Sequence, residues 1–232
     1  MHTRHFSKSE AIRTGWNILK ANFGFVITVG LTAIIINLLP TLVQKQLAGS
    51  RPFLSFIVAF SSIVLQTVTS IGIATISLKL VDTGNADFSD LVEGIGLFFR
   101  AIVASIAYAL IVIVGCVLLI VPGVIWALKY QFYLYAIVDR DMGALEALSF
   151  SGSITRGSKA NLFLFWIVLA GFNLLGLCAL GIGLFVTIPV SGLATARVYR
   201  KLAAVRETGH GSATMDTKPA TADPAISDGA GI

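Results

Sequence analysis

Residues Phe23–Val43 read FGFVITVGLTAIIINLLPTLV, twenty-one positions with no charge among them. The hydrocarbon core of a bilayer is about 30 Å thick, and a helix rising 1.5 Å per residue crosses it in roughly 20 residues. The stretch is therefore one membrane crossing. Five more apolar runs follow, at Phe53–Leu80, Ala101–Val121, Val124–Val138, Asn161–Leu180 and Leu184–Tyr199. Strands of a membrane barrel would alternate polar and apolar residues over segments of about 10; these runs are continuous. Over the whole chain 56% of residues are hydrophobic and 12% charged, with mean hydropathy +0.85. A soluble domain carries roughly 25% charge. The fold class read here is all-α, a polytopic membrane helix bundle of six transmembrane helices.

Between the runs lie amphipathic segments. Over 6–20, Phe6, Ile12, Trp16, Leu19 and Phe23 share a stripe, and Ser7 and Glu10 have capping-box spacing. Over 88–100 the stripe is Phe88, Leu91, Val92, Ile95, Phe98 and Phe99. A third segment covers 143–155. Each introduces a hairpin, so the chain reads as three interfacial-helix-plus-hairpin units. Lys20-Ala21-Asn22-Phe23 is echoed by Lys159-Ala160-Asn161-Leu162 at the matching junction. Pro122-Gly123 marks an outer turn between the third and fourth runs. The first run follows a mixed-charge segment and has no small-residue cleavage site after it, so it is read as a retained helix. Residues 1–206 form the transmembrane domain. Residues 207–232, rich in Ala, Thr, Gly, Asp and Pro, read as a disordered cytoplasmic tail.

Charge sets the orientation. Fourteen of the seventeen Lys and Arg fall before the first run, at the end of the sixth or after it, or in or flanking the loops that follow runs two and four. Lys45 and Arg51 fall on the other side, and Lys129 lies within a run. Basic residues mark the cytoplasmic side, so both termini are cytoplasmic. The net charge of +5 thus reflects membrane orientation, and nucleic acid is not a predicted partner. Membrane lipids are, together with a second copy or other membrane proteins.

The residues that could carry chemistry are few. Lys129 lies six residues beyond Gly123, about 9 Å down a helix, where a charged Lys costs about 2.5 kcal/mol or more. Either it snorkels to the outer interface, or with Tyr130 and Tyr133 it meets an anion or a lipid headgroup in a hydrated cavity. Asn37, Gln66 and Asn173 stand alone in apolar runs, as hydrogen-bonding residues between helices or as a polar path. Cys116 and Cys178 read as small apolar side chains packed between helices. His2, His5 and His210 are terminal, no HExxH or GxSxG motif occurs, and no cofactor, metal site or catalytic group is predicted.

Around the fourth run the chain looks familiar. Ile120-Val121-Pro122-Gly123-Val124-Ile125-Trp126 leads to Tyr130-Gln131-Phe132, Ile137-Val138-Asp139, Glu146-Ala147-Leu148 and Ser151, then Gly181-Ile182-Gly183-Leu184, Pro189 and Tyr199. This resembles bacterial six-span membrane proteins of unknown function. They include the DUF975-like families and the membrane domain found ahead of some glycerophosphodiester phosphodiesterases. The resemblance covers about residues 8–202. It implies a bacterial inner-membrane protein of non-enzymatic role, a scaffold or helper in lipid and envelope homeostasis. The alternative is a small transporter or lipid-handling protein with a cavity near Lys129.

Overall fold

The computed structural model describes residues 7–47, 51–179, 181 and 183–215. All regular structure in them is helical. The helices are α1 (Lys8–Ala21), α2 (Phe23–Leu47), α3 (Pro52–Thr83), α4 (Asp90–Glu93), α5 (Phe98–Leu118), α6 (Ile120–Tyr130), α7 (Tyr133–Arg140), α8 (Ala144–Ile154), α9 (Lys159–Cys178) and α10 (Leu184–Met215). A 3₁₀ turn, Gly94–Leu97, joins α4 to α5. Large apolar side chains cover the outside: Phe53, Phe56, Val117, Ile120 and Leu175 are all exposed. In water this would be untenable; lipid covers such a surface directly. The hydroxyls of the long helices mostly bond within their own helix, as in Thr28 to Gly24 O (2.7 Å), Ser62 to Val58 O (2.7 Å) and Ser70 to Gln66 O (2.8 Å). That removes the cost of an unpaired polar group in hydrocarbon.

Among the described residues five segments are long and apolar enough to cross a membrane: Phe23–Leu47, Pro52–Thr83, Asp90–Leu118, Ile120–Arg140 and Lys159–Cys178. α10 is not among them, because Arg197, Arg200 and Lys201 interrupt its apolar start before eighteen residues have passed. Yet α10 is deeply packed. Val190, Leu193, Ala194, Ala196, Val198 and Tyr199 are all buried, against α1, α2, α3, α8 and α9.

Several expectations need correction. The third and fourth runs turn at Leu119, in extended conformation (φ −167°, ψ 142°), and not at Pro122-Gly123. Pro122 is tolerated because the first turn of α6 has no acceptor for its missing N–H. Gly123 lets α6 touch α5: a β-carbon there would lie 2.4 Å from Cys116 Sγ. Cys116 and Cys178 are both exposed, although Cys116 Sγ lies against Gly123 at the α5–α6 contact. The buried face of α1 is Ala11, Gly15 and Leu19, which leaves Trp16 outside. Small residues win because α10 comes so close that a β-carbon on Gly15 would stand 2.8 Å from Val190 O. Residues 88–100 are not one amphipathic helix. The short α4 and the 3₁₀ turn press on α3, burying Asp90 and Gly94 and turning Val92, Ile95 and Phe99 outward. The third segment does form a helix, α8, buried against α5, α6 and α7. α10 runs to Met215, so the first nine positions of the expected tail are helical; residues 216–232 lie outside the described residues.

Candidate functional site

The fourth apolar run is a broken helix. α6 stops at Tyr130, α7 starts at Tyr133, and Gln131-Phe132 form a turn between them. A break frees backbone groups that hydrocarbon cannot solvate. Here α8 supplies the partners. Ser151 Oγ donates to Lys129 O (3.0 Å) and accepts from Phe132 N–H (3.1 Å). Thr155 Oγ1 also reaches Lys129 O (3.0 Å), sharing its proton with Ser151 O (2.9 Å). Gln131 Nε2 donates to Leu128 O (3.1 Å), and Trp166 Nε1 donates to Gln131 Oε1. Ser151 of α8 and Thr155, which caps that helix, are fully buried.

Lys129 lies over this break. Its Nζ donates to Tyr130 Oη (2.7 Å) and sits 4.5 Å from the centre of that ring. Its stem crosses α8 at Gly152, where a β-carbon would lie 3.0 Å from Lys129 Cε. Among the described residues no carboxylate comes within ion-pair distance of it. Tyr133 does not join the pair; its hydroxyl meets Ser105 Oγ at 2.9 Å, toward α5.

The three isolated amides lie apart. Asn37 donates to Ala33 O on its own helix (2.7 Å) and lines an apolar groove of about 410 Å³ formed by α2, α3 and α10. Gln66 lines a second groove, of about 370 Å³, between α3, α5 and α7. Asn173 donates to Ser191 Oγ (3.2 Å) between α9 and α10. Among the described residues the three amides make no hydrogen bond to one another or to Lys129.

A charged node that the isolated segments do not reveal lies where α3, α7 and α10 meet. Asp139, with its side chain 11% exposed, pairs with Arg200 and accepts from Tyr199 Oη (2.8 Å). Arg140 Nε lies 3.5 Å from the same carboxylate, and its other end pairs with Glu207. Arg200 also pairs with Asp82 at the end of α3. Tyr199 stacks on Tyr135 (5.6 Å) and packs against Phe132 (6.0 Å). Among the described residues no three His, Cys, Asp or Glu side chains gather closely enough to hold a metal ion.

Residues 88–227, more than half of the chain, match the model of DUF7847, a domain of unknown function. The chain belongs to the DUF7847 family. This replaces the DUF975-like and glycerophosphodiester-associated families suggested by the motifs around Pro122. The DUF7847 segment contains the α6–α7 break, its α8 partners, Lys129 and most of the Asp139 node; α1, α2 and α3 precede it. No curated protein matches the chain. No solved structure matches it either.

The residues outside the sequence-based selection, Ser151, Thr155, Asp139 and Arg200, are ordinary in isolation. A signal existed for two of them. Asp139 and Arg200 each end an apolar run, so their charges sit at the same face and can meet.

Proposed function

We propose that this chain is a six-span protein of the bacterial inner membrane, with both termini cytoplasmic. In this reading it acts without catalysis, as a scaffold or helper in lipid and envelope homeostasis. The spans are the five apolar segments and the apolar start of α10, arranged as three units of an interfacial element and a hairpin. One observation carries the reading. Among the described residues the ion pairs all join residues that charge asymmetry assigns to one face: Lys79 with Asp90 and Glu93, Arg100 with Asp141, Arg140 with Asp139 and Glu207, Arg200 with Asp82 and Asp139, and Lys201 with Glu10. Side chains sorted to one membrane face by sequence should be close in space, and these are. The pairs also tie the hairpins to one another at that face, as a rigid bundle requires. The polar residues Asn37, Gln66 and Asn173 sit in separate surroundings, which favours a bundle over a solute path.

The second reading is lipid handling. Its support is Lys129, a base among apolar helices that bonds a tyrosine and no described acid. Reconstitution separates the two. Proteoliposomes carrying the full chain should move fluorescent phospholipid between leaflets no faster than protein-free vesicles. A protein-dependent rate that Lys129→Ala abolishes would replace the scaffold with a lipid-handling protein.

A further inference from the structure

Arg156 stands on the turn after α8 and Lys159 is the first residue of α9, both exposed. Every described carboxylate except Asp87 and Glu146 is already in an ion pair with some other base, and Glu146 faces Gly143 N–H (3.4 Å). Among the described residues Arg156 and Lys159 have no carboxylate within ion-pair distance. Beside Lys159 runs a groove of about 360 Å³ between α6 and α9. Val124, Ile125, Leu128, Ala160 and Phe163 are among its walls, and Lys159 is the one charged residue lining it. An apolar groove with Lys159 in its wall, and Arg156 three residues before it in the chain, is complementary to a molecule with an apolar chain and an anionic head. Basic pockets between membrane helices hold anionic headgroups in this way.

We infer that the α6–α9 groove binds an anionic phospholipid, one acyl chain lying along α6 and the phosphate held by Arg156 and Lys159. The inference rests on the membrane reading but not on the choice between scaffold and lipid handling, since a bound lipid need not be moved. Free phosphate offers the head without the chain, and would leave the apolar walls unused.

The test is native mass spectrometry of the full chain in an uncharged detergent. Phosphatidylglycerol and phosphatidylcholine with identical acyl chains are offered in turn. At about five-fold per base, phosphatidylglycerol should be retained at least ten-fold better. The double variant Arg156→Gln/Lys159→Gln should lose that preference, and Arg156→Lys/Lys159→Arg should keep it. Val124→Trp, which fills the groove, should reduce retention of both lipids. Lys45→Gln/Arg51→Gln, at the opposite end of the bundle, should change nothing. Equal retention by the parent protein, or a preference that survives the double variant, would overturn the site. So would displacement of phosphatidylglycerol by millimolar inorganic phosphate, which would mark an anion site without a lipid. Should the double variant fail to fold, Val124→Trp decides alone: unchanged retention sinks the proposal. The outcome is independent of leaflet transfer, so its failure and that of the scaffold reading are separately visible.

Discussion

Ser151 shows what one buried hydroxyl does in this protein. It closes both backbone groups freed between α6 and α7; removing it strands the Phe132 N–H and leaves the Lys129 carbonyl to Thr155 alone. An unmade buried hydrogen bond costs about 1–3 kcal/mol. The pair Ser151→Ala/Thr155→Val should therefore destabilise the chain by roughly 2–5 kcal/mol, read as a fall in the detergent melting temperature. A loss below ~0.5 kcal/mol would mean that α8 is not what holds the break. Gly72 offers a steric counterpart. A β-carbon there would lie 2.4 Å from Leu91 O and 2.7 Å from Leu91 Cα, both backbone atoms that cannot swing aside. Gly72→Ala should cost about 1–3 kcal/mol. Gly30, also helical, has nothing within 4 Å of such a carbon. Gly30→Ala should be neutral or stabilising by up to ~1 kcal/mol. Equal melting temperatures for the two alanine variants would refute the α3–α4 contact. At this scale the sequence marks Lys129 as unusual, but its neighbour Gly152 comes from a separate helix and no local pattern connects them.

Elements are joined by charge as well as by packing. α1 meets α10 through Gly15 and closes with Glu10 on Lys201 (3.0 Å). The hydrogen bond from Lys201, and its charge, hold the Glu10 carboxyl below its ordinary 4.5. A depressed carboxylate stabilises fully above its unfolded pKa, and the contribution is lost as pH falls through the lower folded value. The pair is exposed, so its contribution is small. With Trp126 and Trp166 replaced by Phe, Trp16 fluorescence should hold steady from pH 7 to about 5 and shift only in stronger acid. Glu10→Gln should abolish that acid shift; an unchanged shift would assign it elsewhere. The Asp139 node is more sheltered. Asp139→Asn leaves Arg200 with Asp82 alone and should cost about 2–4 kcal/mol. Asp82→Asn, with a side chain 39% exposed, should cost about 1 kcal/mol or less. Reversal of that order in denaturant unfolding would remove Asp139 from the centre of the node. Periodicity predicts α1, but not which face it buries. Hydrophobic residues suggested Trp16, whereas the closeness of α10 selected Gly15.

For the whole molecule the test is sidedness. In a background with Cys116 and Cys178 replaced by Ser, Lys45→Cys should react with an impermeant thiol reagent in intact cells. Asp141→Cys should react only after the membrane is opened. Gly181→Cys, in the turn before α10, should react from outside if α10 completes a sixth span. Protection of Gly181 together with labelling of Lys45 would reduce the count to four crossings plus a re-entrant hairpin of α9 and the start of α10. That turn is where doubt would be informative: Gly181 shares a groove with Ala33 and Asn37 of α2, about ten residues before that helix ends. At 1.5 Å per residue it lies some 15 Å short of the α2 tip, measured along α2.

The sequence by itself determined that the chain is helical with several membrane-length apolar segments, and it supplied the charge asymmetry on which the proposed orientation rests. Uncharged runs of twenty residues permit little besides helices in lipid, and the placement of bases is a one-dimensional property that orientation reads directly. It also located the weak fourth run, from its Lys, Gln and Tyr residues. Only the tertiary structure decided that this run is two helices, since the hydroxyls that stabilise the break come from α8, some twenty residues away. Only the tertiary structure joined Asp82, Asp139 and Arg200, or set the α9 lysine beside an apolar groove of α6. Helix formation is local and follows from composition, whereas the partners of a broken backbone, a buried charge or an open groove depend on which faces meet.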